Sequence, residues 1–536
     1  MSLAQLSDTP GKVETLIQSG PYVADPLNVY AHVCADKQHA LLLESAEIDS
    51  KDNLKSLLLV DAALKLVCRG QQVTCQALTD NGRNVLTLIA DNVDDRVLTD
   101  SSDPNTLVMT FPGPVAYQSL DEDSRLKAPA VFDALRMLVK HVKPLRDHPQ
   151  AVFLGGVFAY DLLASFEVLP AVEDDANTCP DYVFYLAETL LLIDHQAQQT
   201  ELLGSVFSGP GVSQSYFSVS QRLEHLRSCL ADLPDNCNGI SATTAQPDNS
   251  APKPKVNKSD AAYCKDVTFL KEHILAGDIF QVVPSRRFSL PCPNPLKAYD
   301  NLKRSNPSPY MFYMQDKDFS IFGASPESAL KYTRDTNQVE VYPIAGTRPR
   351  GKHADGRINL DLDSRIELDL RDDSKEKAEH LMLVDLARND VARVSIPGSR
   401  YVKDLLNVDR YSHVMHLVSR VVGQLHPHFD ALHAYQACMN MGTLVGAPKI
   451  SAASLIRQVE GYRRGSYGGA VGYLNGHGDM DTCIVIRSAF VKDQEAHVQA
   501  GAGVVYDSVP QSEADETRSK AQAVIQAIQG AQEARP

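Results

Sequence analysis

Two pairs of glutamates stand at a spacing that suits metal binding. Glu376 and Glu379 are three residues apart, and so are Glu513 and Glu516. Residues three apart in a helix project from the same side, so each pair can present two carboxylates together. If both pairs converged, the carboxylates would repel one another, and a hard divalent cation would neutralise them. An ion held by few carboxylates, with substrate oxygens completing its shell, is typical of Mg²⁺.

Helix capping is the alternative explanation of these acids. Asp373 or Ser374 precedes the first pair as in a capping box, and Ser512 with Asp515 resembles a second one. Acids in a first turn also stabilise a helix through its dipole. Leu383 follows on the stripe of the first pair, and carboxylates rarely lie on a partly apolar face without a partner. For either pair alone, both explanations stay open.

The composition is that of a folded globular protein with an excess of acids. Of the 536 residues, 43% are apolar and 22% are charged, and the formal net charge is −15. Phosphate binding needs a basic surface, so the charge argues against a nucleic-acid partner. At this length we expect about two to four domains or one unusually large unit.

Cysteine usage and hydropathy predict a reduced environment. The ten cysteines are scattered without a CxxC pair, which favours free thiols over a disulfide or zinc framework. No apolar run reaches the ~18 residues of a membrane span, and the first twenty residues lack the apolar stretch of a secretory signal. We therefore expect a soluble, cytoplasmic protein with no membrane partner.

A polar segment divides the chain into two regions. Residues 238–258 are rich in Asn, Ser, Thr, Pro and Lys, and we predict a linker or surface loop there. Residues 1–237 precede it, and residues 259–525 follow it with a higher density of motifs. Strand and helix patterns come in blocks without strict alternation, which favours an α+β fold with antiparallel sheets.

Several elements have clear local signals. We predict a buried strand over residues 40–45, an amphipathic helix over 219–230, and a strand over 279–288. A further helix is predicted over 259–276, with Gly277 closing it.

Polar and glycine-rich motifs recur along the second region. Residues 442–449 are not a phosphate loop, because no Gly-Lys-Ser/Thr follows at the Walker spacing. His426, His428 and His433 have no cysteine or carboxylate at ligand spacing, so zinc is not favoured. In order, the motifs are residues 323–327, 343–351, 376–390, 413–419, 441–449, 464–469, 483–488, 500–506 and 513–520.

As an ordered set, these motifs resemble the chorismate-utilising enzymes. The resemblance extends over roughly residues 41–520 and is strongest from residue 259 onward. It implies two packed antiparallel β-sheets with helices outside, an α/β sandwich of the chorismate-binding-enzyme type. It also implies lyase chemistry on chorismate with Mg²⁺ as the cofactor.

The resemblance assigns the metal and one end of the substrate. Glu379 and Glu516 match ligands of Mg²⁺, and the other glutamate of each pair matches a direct or water-mediated ligand. The ion is expected to hold the ring carboxylate of chorismate, helped by Gly346 and Thr347.

A second set of positions matches the contacts to the enolpyruvyl carboxylate. An acidic protein can hold this dianion by one metal and one arginine, because arginine forms the planar bidentate contact that a carboxylate prefers. The expected substrate contacts are Thr443, Tyr467, Arg487, the backbone around Gly501 and Gly503, and Lys520.

Two residues match the proton-transfer groups of the family. In the ammonia-using members, ammonia adds at C2 as the C4 hydroxyl leaves, and Glu327 is the candidate acid for that hydroxyl, with a pKa raised in an apolar cleft. Loss of pyruvate then requires removal of the C2 proton. His416 matches the base, a role that suits histidine near neutral pH.

Two further positions distinguish members of the family. Water-adding members have a lysine where this chain has Gln281, so we include Gln281 among the catalytic candidates. Aminodeoxychorismate-forming members typically carry lysine where this chain has Ala345. Both differences favour the members that make anthranilate and pyruvate, the first step of tryptophan synthesis, with aminodeoxychorismate formation as the alternative.

A second alternative is a non-catalytic subunit that binds tryptophan. The presence of Glu327, His416, Arg487 and the metal-ligand candidates argues against it, because such a subunit has no need of an acid, a base and metal ligands together.

The resemblance also implies partners. No Gly-x-Cys-x-Gly nucleophile motif occurs, so ammonia is expected from a separate glutamine amidotransferase subunit (component II), in a heterotetramer of two large and two small subunits. Tryptophan is the expected feedback inhibitor. Its site is expected at Glu44, Ser45, Pro309, Tyr310 and Met311.

Overall fold

The computed structural model of the chain describes residues 3–45, 54–233, 252–353, 356–411 and 414–532. In these ranges the helices are α1 (Leu3–Ser7), α2 (Pro26–Val33), α3 (Asp80–Ala90), α4 (Glu122–Leu126), α5 (Asp133–His141), α6 (Val212–Ala231), α7 (Asp260–Ala276), α8 (Pro295–Ser305), α9 (Leu360–Asp372), α10 (Ser374–Ala392), α11 (Ala431–Cys438), α12 (Lys449–Glu460) and α13 (Pro510–Gln532). Short 3-10 helices lie at Pro114–Tyr117, Pro149–Ala151, Tyr160–Ser165 and Gly442–Leu444.

The strands in the same ranges are β1 (Lys12–Gly20), β2 (Ala40–Glu44), β3 (Lys55–Arg69), β4 (Gln72–Ala77), β5 (Leu98–Asp100), β6 (Thr106–Thr110), β7 (Lys143–Pro144), β8 (Phe153–Phe158), β9 (Tyr182–Asp194), β10 (Gln199–Phe207), β11 (Lys255–Val256), β12 (Gln281–Val282), β13 (Ser285–Pro291), β14 (Tyr310–Gln315), β15 (Ser320–Ser325), β16 (Ser328–Thr333), β17 (Gln338–Val341), β18 (Ile344–Pro349), β19 (Tyr401–Arg410), β20 (Val414–Gln424), β21 (Gly446–Ala447), β22 (Ala470–Asn475), β23 (Met480–Ile484), β24 (Ser488–Lys492) and β25 (Glu495–Gly501).

Within the described ranges, hydrogen bonds connect 23 strands into one network, and β12 pairs with β21 in a separate small sheet. The strand pairs are antiparallel, with β1 and β7 as a parallel exception. The prediction of mixed helix and antiparallel sheet is confirmed. The description as two separate packed sheets is not exact, because pairs such as β14 with β2 and β22 with β8 link strands of the two regions.

The helix predictions were correct in position, one of them too short. Ser259 caps α7 by accepting a hydrogen bond from the Ala262 backbone, and Gly277 closes the helix at a φ of 84°. The amphipathic helix predicted over 219–230 is the C-terminal part of α6.

The strand predicted over 40–45 is β2, but the strand predicted over 279–288 is divided. Its first part is β12 and its second part is β13, which pairs with β25. Pro284 stands between them and has no N–H to donate to a continuous ladder.

The predicted linker is described only at its C-terminal end. Residues 234–251 lie outside the described part of the chain, as does residue 413 of the motif over 413–419. From residue 252 onward the segment contains β11, which pairs with β13. The domain boundaries proposed from composition stay a prediction.

The two regions share a core. β8 pairs with β22, and the ring of Phe158 on β8 stacks on Tyr435 of α11 at 4.5 Å. Both side chains are fully buried. In the described residues, no helix is both long and apolar enough to cross a membrane.

Candidate active site

Glu327 lies in the two-residue connection between β15 and β16. Its side chain is buried, and the Thr443 hydroxyl donates to its Oε1 at 2.9 Å. Burial raises the pKa of Glu327 to about 8, although the Thr443 hydrogen bond and the nearby charge of Lys520 oppose that rise. The carboxyl is therefore mostly protonated at neutral pH.

His416 lies on β20, and its pKa is shifted in the opposite direction to that of Glu327. Burial, followed by the charge of Arg487, lowers the pKa of His416 to about 4, so its imidazole is neutral at pH 7. Its Nδ1 lies 2.9 Å from the hydroxyl oxygen of Thr347. The antiparallel register of β18 and β20 places Thr347 opposite His416 and so explains this contact.

Arg487 follows β23 and has a left-handed backbone, with φ at 48°. Burial lowers the pKa of Arg487, while Tyr467 and Glu516 act in the other direction. It forms no ion pair with any carboxylate in the described part of the chain. The guanidinium is therefore a free cation beside His416.

The end of β25 meets Tyr467 and Lys520. A Cβ at Gly501 would lie 3.0 Å from the Tyr467 hydroxyl and 2.7 Å from the Pro284 carbonyl oxygen, so the backbone approach requires glycine. The Lys520 ammonium donates to the Gly501 carbonyl at 3.1 Å and pairs with Glu516 at 2.7 Å.

Gln281 is buried on β12, and its Oε1 has no hydrogen-bond partner among the described residues. Its Nε2 would lie 3.0 Å from a Cβ at Gly503, so the amide lies close to the backbone that follows β25. A buried amide oxygen without a donor is a place where a ligand N–H or O–H could bind.

The first glutamate pair lies on α10. Glu376 accepts from Arg348 at 2.9 Å, and its other carboxylate oxygen is 3.2 Å from where a Cβ of Gly346 would be. Glu379 is partly exposed one turn later. Asp373 accepts from the Glu376 backbone at 3.1 Å, which confirms the predicted cap of this helix.

The second pair lies on α13, where Glu513 is buried and Glu516 is exposed. The second predicted capping box is wrong, because α13 already begins at Pro510 and Ser512 lies inside it. Among the residues that the structure describes, no three His, Cys, Asp or Glu side chains are grouped closely enough to hold a metal.

The expected tryptophan residues are brought together by strand pairing. Glu44 on β2 is opposite Met311 on β14, and Ser45 follows Glu44 directly. Both carboxylate oxygens of Glu44 are engaged, one by the Tyr299 hydroxyl at 2.6 Å and the other by the Lys303 ammonium at 2.5 Å.

Sequence inspection missed several side chains that hold these sites. Tyr299 and Lys303 had a usable signal, because a spacing of four residues places both on one helix face. Arg348 and Arg464 lie inside the motifs, and the spacing of four residues between Glu460 and Arg464 was also a usable signal, whereas the pairing of Arg348 with Glu376 is identifiable only from the fold.

Comparisons with known proteins agree on the family. The chorismate binding enzyme family matches residues 94–526. Anthranilate synthase component 1 of Vibrio cholerae is 60% identical, over 96% of each chain, and that of Escherichia coli is 56% identical, over 96% of this chain and 97% of the relative.

A crystal structure of anthranilate synthase component I from Streptococcus pneumoniae superposes with a TM-score of 0.64 at 30% identity. It covers 90% of this chain and 94% of that one. The chain therefore belongs to the chorismate binding enzyme family and, within it, to the anthranilate synthase component 1 group.

Proposed function

We propose that this protein converts chorismate and ammonia into anthranilate and pyruvate. The observation that carries the proposal is that the chain has both a buried carboxyl that keeps its proton, Glu327, and a buried imidazole that stays neutral, His416. Groups with pKa values pushed apart in this way suit an acid and a base in one reaction. The guanidinium of Arg487, which lies close enough to His416 to lower its pKa, suits an anionic substrate.

In the first half-reaction, ammonia forms a bond to C2, both ring double bonds shift (C1=C2 to C1=C6 and C5=C6 to C4=C5), and the bond from C4 to its hydroxyl oxygen breaks. The departing hydroxide needs a proton, and the Glu327 carboxyl supplies it to give water. The Thr443 hydroxyl, which donates to Oε1, leaves the proton on the other oxygen of Glu327. The Gln281 amide oxygen, which lacks a donor, can accept an N–H of the incoming ammonia.

In the second half-reaction, His416 removes the proton from C2, the bond from C3 to the ether oxygen breaks, and pyruvate leaves as its enolate, which then takes up a proton to become pyruvate. The ring becomes aromatic in this step. For Nε2 to act as the base, Nδ1 must carry the other proton and donate it to the Thr347 hydroxyl, which lies 2.9 Å away.

Substrate binding is assigned to the groups around this acid and base. Arg487 can form a bidentate contact with the enolpyruvyl carboxylate, while Tyr467 and the backbone at Gly501 and Gly503 bind the same group. Thr443, whose hydroxyl donates to Glu327 at 2.9 Å, would be a further contact to the enolpyruvyl carboxylate.

Mg²⁺ fits the donor set of the two glutamate pairs, because all four donors are carboxylates, which a hard cation prefers. Glu379 and Glu516 would hold it, with Glu376 and Glu513 direct or through water. When bound, the ion would neutralise the ring carboxylate of chorismate and polarise it. Arg348 and Lys520 hold Glu376 and Glu516 in this structure, so these carboxylates must exchange partners to bind a cation.

The same proposal includes a partner and a regulator. Ammonia would come from a glutamine amidotransferase, in an assembly of two large and two small subunits in the cytoplasm. Tryptophan would bind at Ser45, Pro309, Tyr310 and Met311. At this site its ammonium group would share Glu44 with Lys303.

Anthranilate fluorescence provides the direct test. The purified chain is mixed with chorismate, Mg²⁺ and an ammonium salt at alkaline pH, where free ammonia is available. We expect anthranilate and pyruvate in equal amounts, and none when chorismate is omitted. Chorismate consumption without anthranilate, or formation of a para-substituted aminobenzoate precursor, would contradict the proposal.

A further inference from the structure

A buried ion pair lies behind the proposed active site. Arg464 is 2% exposed, and its partner Glu460, at the end of α12, has a side chain 9% exposed. The guanidinium donates to both carboxylate oxygens of Glu460, from Nε at 2.9 Å and from Nη2 at 2.6 Å. Burial alone would lower the pKa of Arg464, but Glu460 more than offsets this, and the net pKa is raised.

Two further N–H groups of Arg464 donate to backbone carbonyls of two active-site segments. Nη1 donates to the Leu444 carbonyl at 2.8 Å, next to Thr443. Nη2 donates to the Val283 carbonyl at 2.6 Å, two residues after Gln281. One planar guanidinium thus fixes the turn that carries Thr443 and the strand that carries Gln281.

Glu460 extends the same connection to β13. Its Oε1 accepts from both the backbone N–H and the hydroxyl of Ser285, each at 2.8 Å. Residues 283–285 connect the end of β12 to the start of β13 and include Pro284. The ion pair therefore holds this segment from both sides.

Aromatic contacts connect Arg464 to Tyr467, a proposed substrate contact, and to Tyr160 in the N-terminal region. The guanidinium carbon lies 4.5 Å from the ring centroid of Tyr160 and 5.7 Å from that of Tyr467. The neighbouring Gly465 donates its N–H to Asp161 at 2.8 Å and accepts from the Tyr160 N–H at 2.9 Å. A Cβ at Gly465 would lie 2.2 Å from the Asn177 carbonyl oxygen, so this close contact requires glycine.

We propose that Arg464 and Glu460 are positioning residues for amination: together they set the relative places of Gln281, Thr443 and Tyr467. This assignment rests on the proposed function. None of the contacts of Arg464 needs the substrate, so the pair acts on the reaction only through the residues that it holds. The planar fork of the Arg464 guanidinium matters, because four of its five N–H groups donate hydrogen bonds in directions that the plane fixes.

Arg464→Lys tests the proposal because lysine keeps the charge next to Glu460 but cannot reproduce the planar fork. We expect a folded protein whose kcat falls by about 10²-fold and whose KM for chorismate rises by about tenfold, since a misplacement near 1 Å has effects of that size. Circular dichroism and the unfolding transition are measured on the same samples. Activity is expressed per folded molecule.

Arg222→Lys is the matched control. Arg222 pairs with the buried Glu188 at 2.6 Å in the N-terminal region, so the same change weakens another arginine–glutamate pair, although Arg222 is 31% exposed and Arg464 is nearly fully buried. We expect lower stability but kcat and KM within about twofold of wild type, because the loss is structural only. Equal kinetic losses in both variants would overturn the proposal.

Ser285→Ala serves if Arg464→Lys does not fold. It removes one hydrogen bond to Glu460 without a charge change, and we expect a smaller rise in KM for chorismate and for ammonium. Kinetics within about twofold of wild type in every variant that folds would contradict positioning. A wild-type chain that forms no anthranilate contradicts the proposed function instead, so the two failures are distinguishable.

Discussion

Two buried glutamates show how the surroundings determine the role of one residue type. Glu327 is 7% exposed and Glu44 is 6% exposed. Glu327 receives one hydroxyl donor and forms no ion pair in the described chain, so burial raises its pKa to about 8. Glu44 receives a phenol and a lysine ammonium, at 2.6 Å and 2.5 Å.

The two glutamates differ in whether a cation lies against the carboxylate and compensates its negative charge. A carboxylate with a cation and a hydrogen bond is a fixed anion that can anchor a structure or a ligand. A buried carboxyl without a cation keeps its proton and can give it up in a reaction. The proposed active site and the proposed tryptophan site thus use glutamate for opposite purposes.

Glu327→Gln should give the largest effect in the molecule. Glutamine keeps an acceptor for Thr443 but has no acidic proton, so we expect anthranilate formation to fall by roughly 10²–10⁴-fold. The measurement is the fluorescence assay with ammonium, together with an unfolding transition to show that the fold is retained.

Glu44→Gln provides the contrast. It leaves the acid in place, so ammonia-dependent synthesis should stay within about twofold of wild type, while stability falls because Lys303 loses one of its two carboxylate partners and keeps only Asp25. If the two variants lose activity equally, the distinction between the glutamates is wrong.

Glu379→Gln and Glu516→Gln test a third environment, the helix carboxylates that are proposed to bind the cation. Of the two, Glu516 pairs with Lys520 in this structure and must leave it to bind a cation. Each change removes an anionic oxygen from the proposed ion, so we expect synthesis to fall on the order of 100-fold. Asp515→Asn is the control, because Asp515 is exposed beside Glu516 on α13. A near-normal Mg²⁺-dependent rate in either glutamine variant would remove that glutamate from the metal site.

His416→Met separates the two half-reactions. If His416 serves only the elimination, the variant still consumes chorismate and accumulates the aminated intermediate, with the enolpyruvyl group intact. Chromatography of the products measures this, and anthranilate formation should fall by roughly 10²-fold or more. Equal loss of chorismate consumption would show that His416 acts in the first step as well.

The pH dependence follows from the same two groups. At constant free ammonia, we expect the rate to fall above about pH 8, where Glu327 loses its proton, and below about pH 4, where His416 gains one. A rate that rises steadily through pH 9 at constant free ammonia would contradict Glu327 as the acid.

Glu327 and His416 change the pH dependence of the free energy of unfolding in opposite directions. Because the pKa of Glu327 is raised from 4.5, the folded state binds the extra proton between pH 4.5 and about 8, and its contribution falls as pH rises through that window. The pKa of His416 is lowered from 6.5, so its contribution rises between about pH 4 and 6.5. In Glu327→Gln, the decline of unfolding free energy toward pH 8 should be smaller than in wild type.

Local rules predicted the elements that have local causes. The cap at Ser259 and the closing Gly277 specify α7, and the apolar run of β2 specifies a buried strand. The family resemblance supplied the list of candidate residues but not their partners. That Lys520 reaches Gly501 and that Arg348 holds Glu376 depends on how distant segments pack.

Sheet architecture was the least predictable part. Pro284 is itself a local signal that the strand is interrupted, but the apolar pattern of residues 279–288 favoured one continuous strand. The joining of strands from both regions into one network depends on pairings such as Gly472 with Gly156, more than 300 residues apart in the chain. No local pattern specifies the partner of a strand at that separation.

Ser45→Phe has the smallest expected effect on catalysis and the sharpest effect on regulation. Ser45 follows Glu44 at the end of β2, opposite the start of β14, and β14 continues through β15 to Glu327. A ligand that moves β2 against β14 can therefore reach the acid through two paired strands. By linkage, whatever factor tryptophan removes from chorismate affinity, chorismate must remove from tryptophan affinity, with couplings of typically ~1–3 kcal/mol.

A phenylalanine at this position fills the space proposed for tryptophan, so the variant should resist inhibition while its ammonia-dependent rate stays near that of wild type. Two calorimetric titrations of tryptophan into the wild-type protein, with and without saturating chorismate and Mg²⁺, measure the coupling. Equal affinities in the two titrations would exclude it. Unaltered inhibition of Ser45→Phe would instead place the regulatory site elsewhere, and Glu44 would then be a structural anchor for Lys303 and Tyr299 alone.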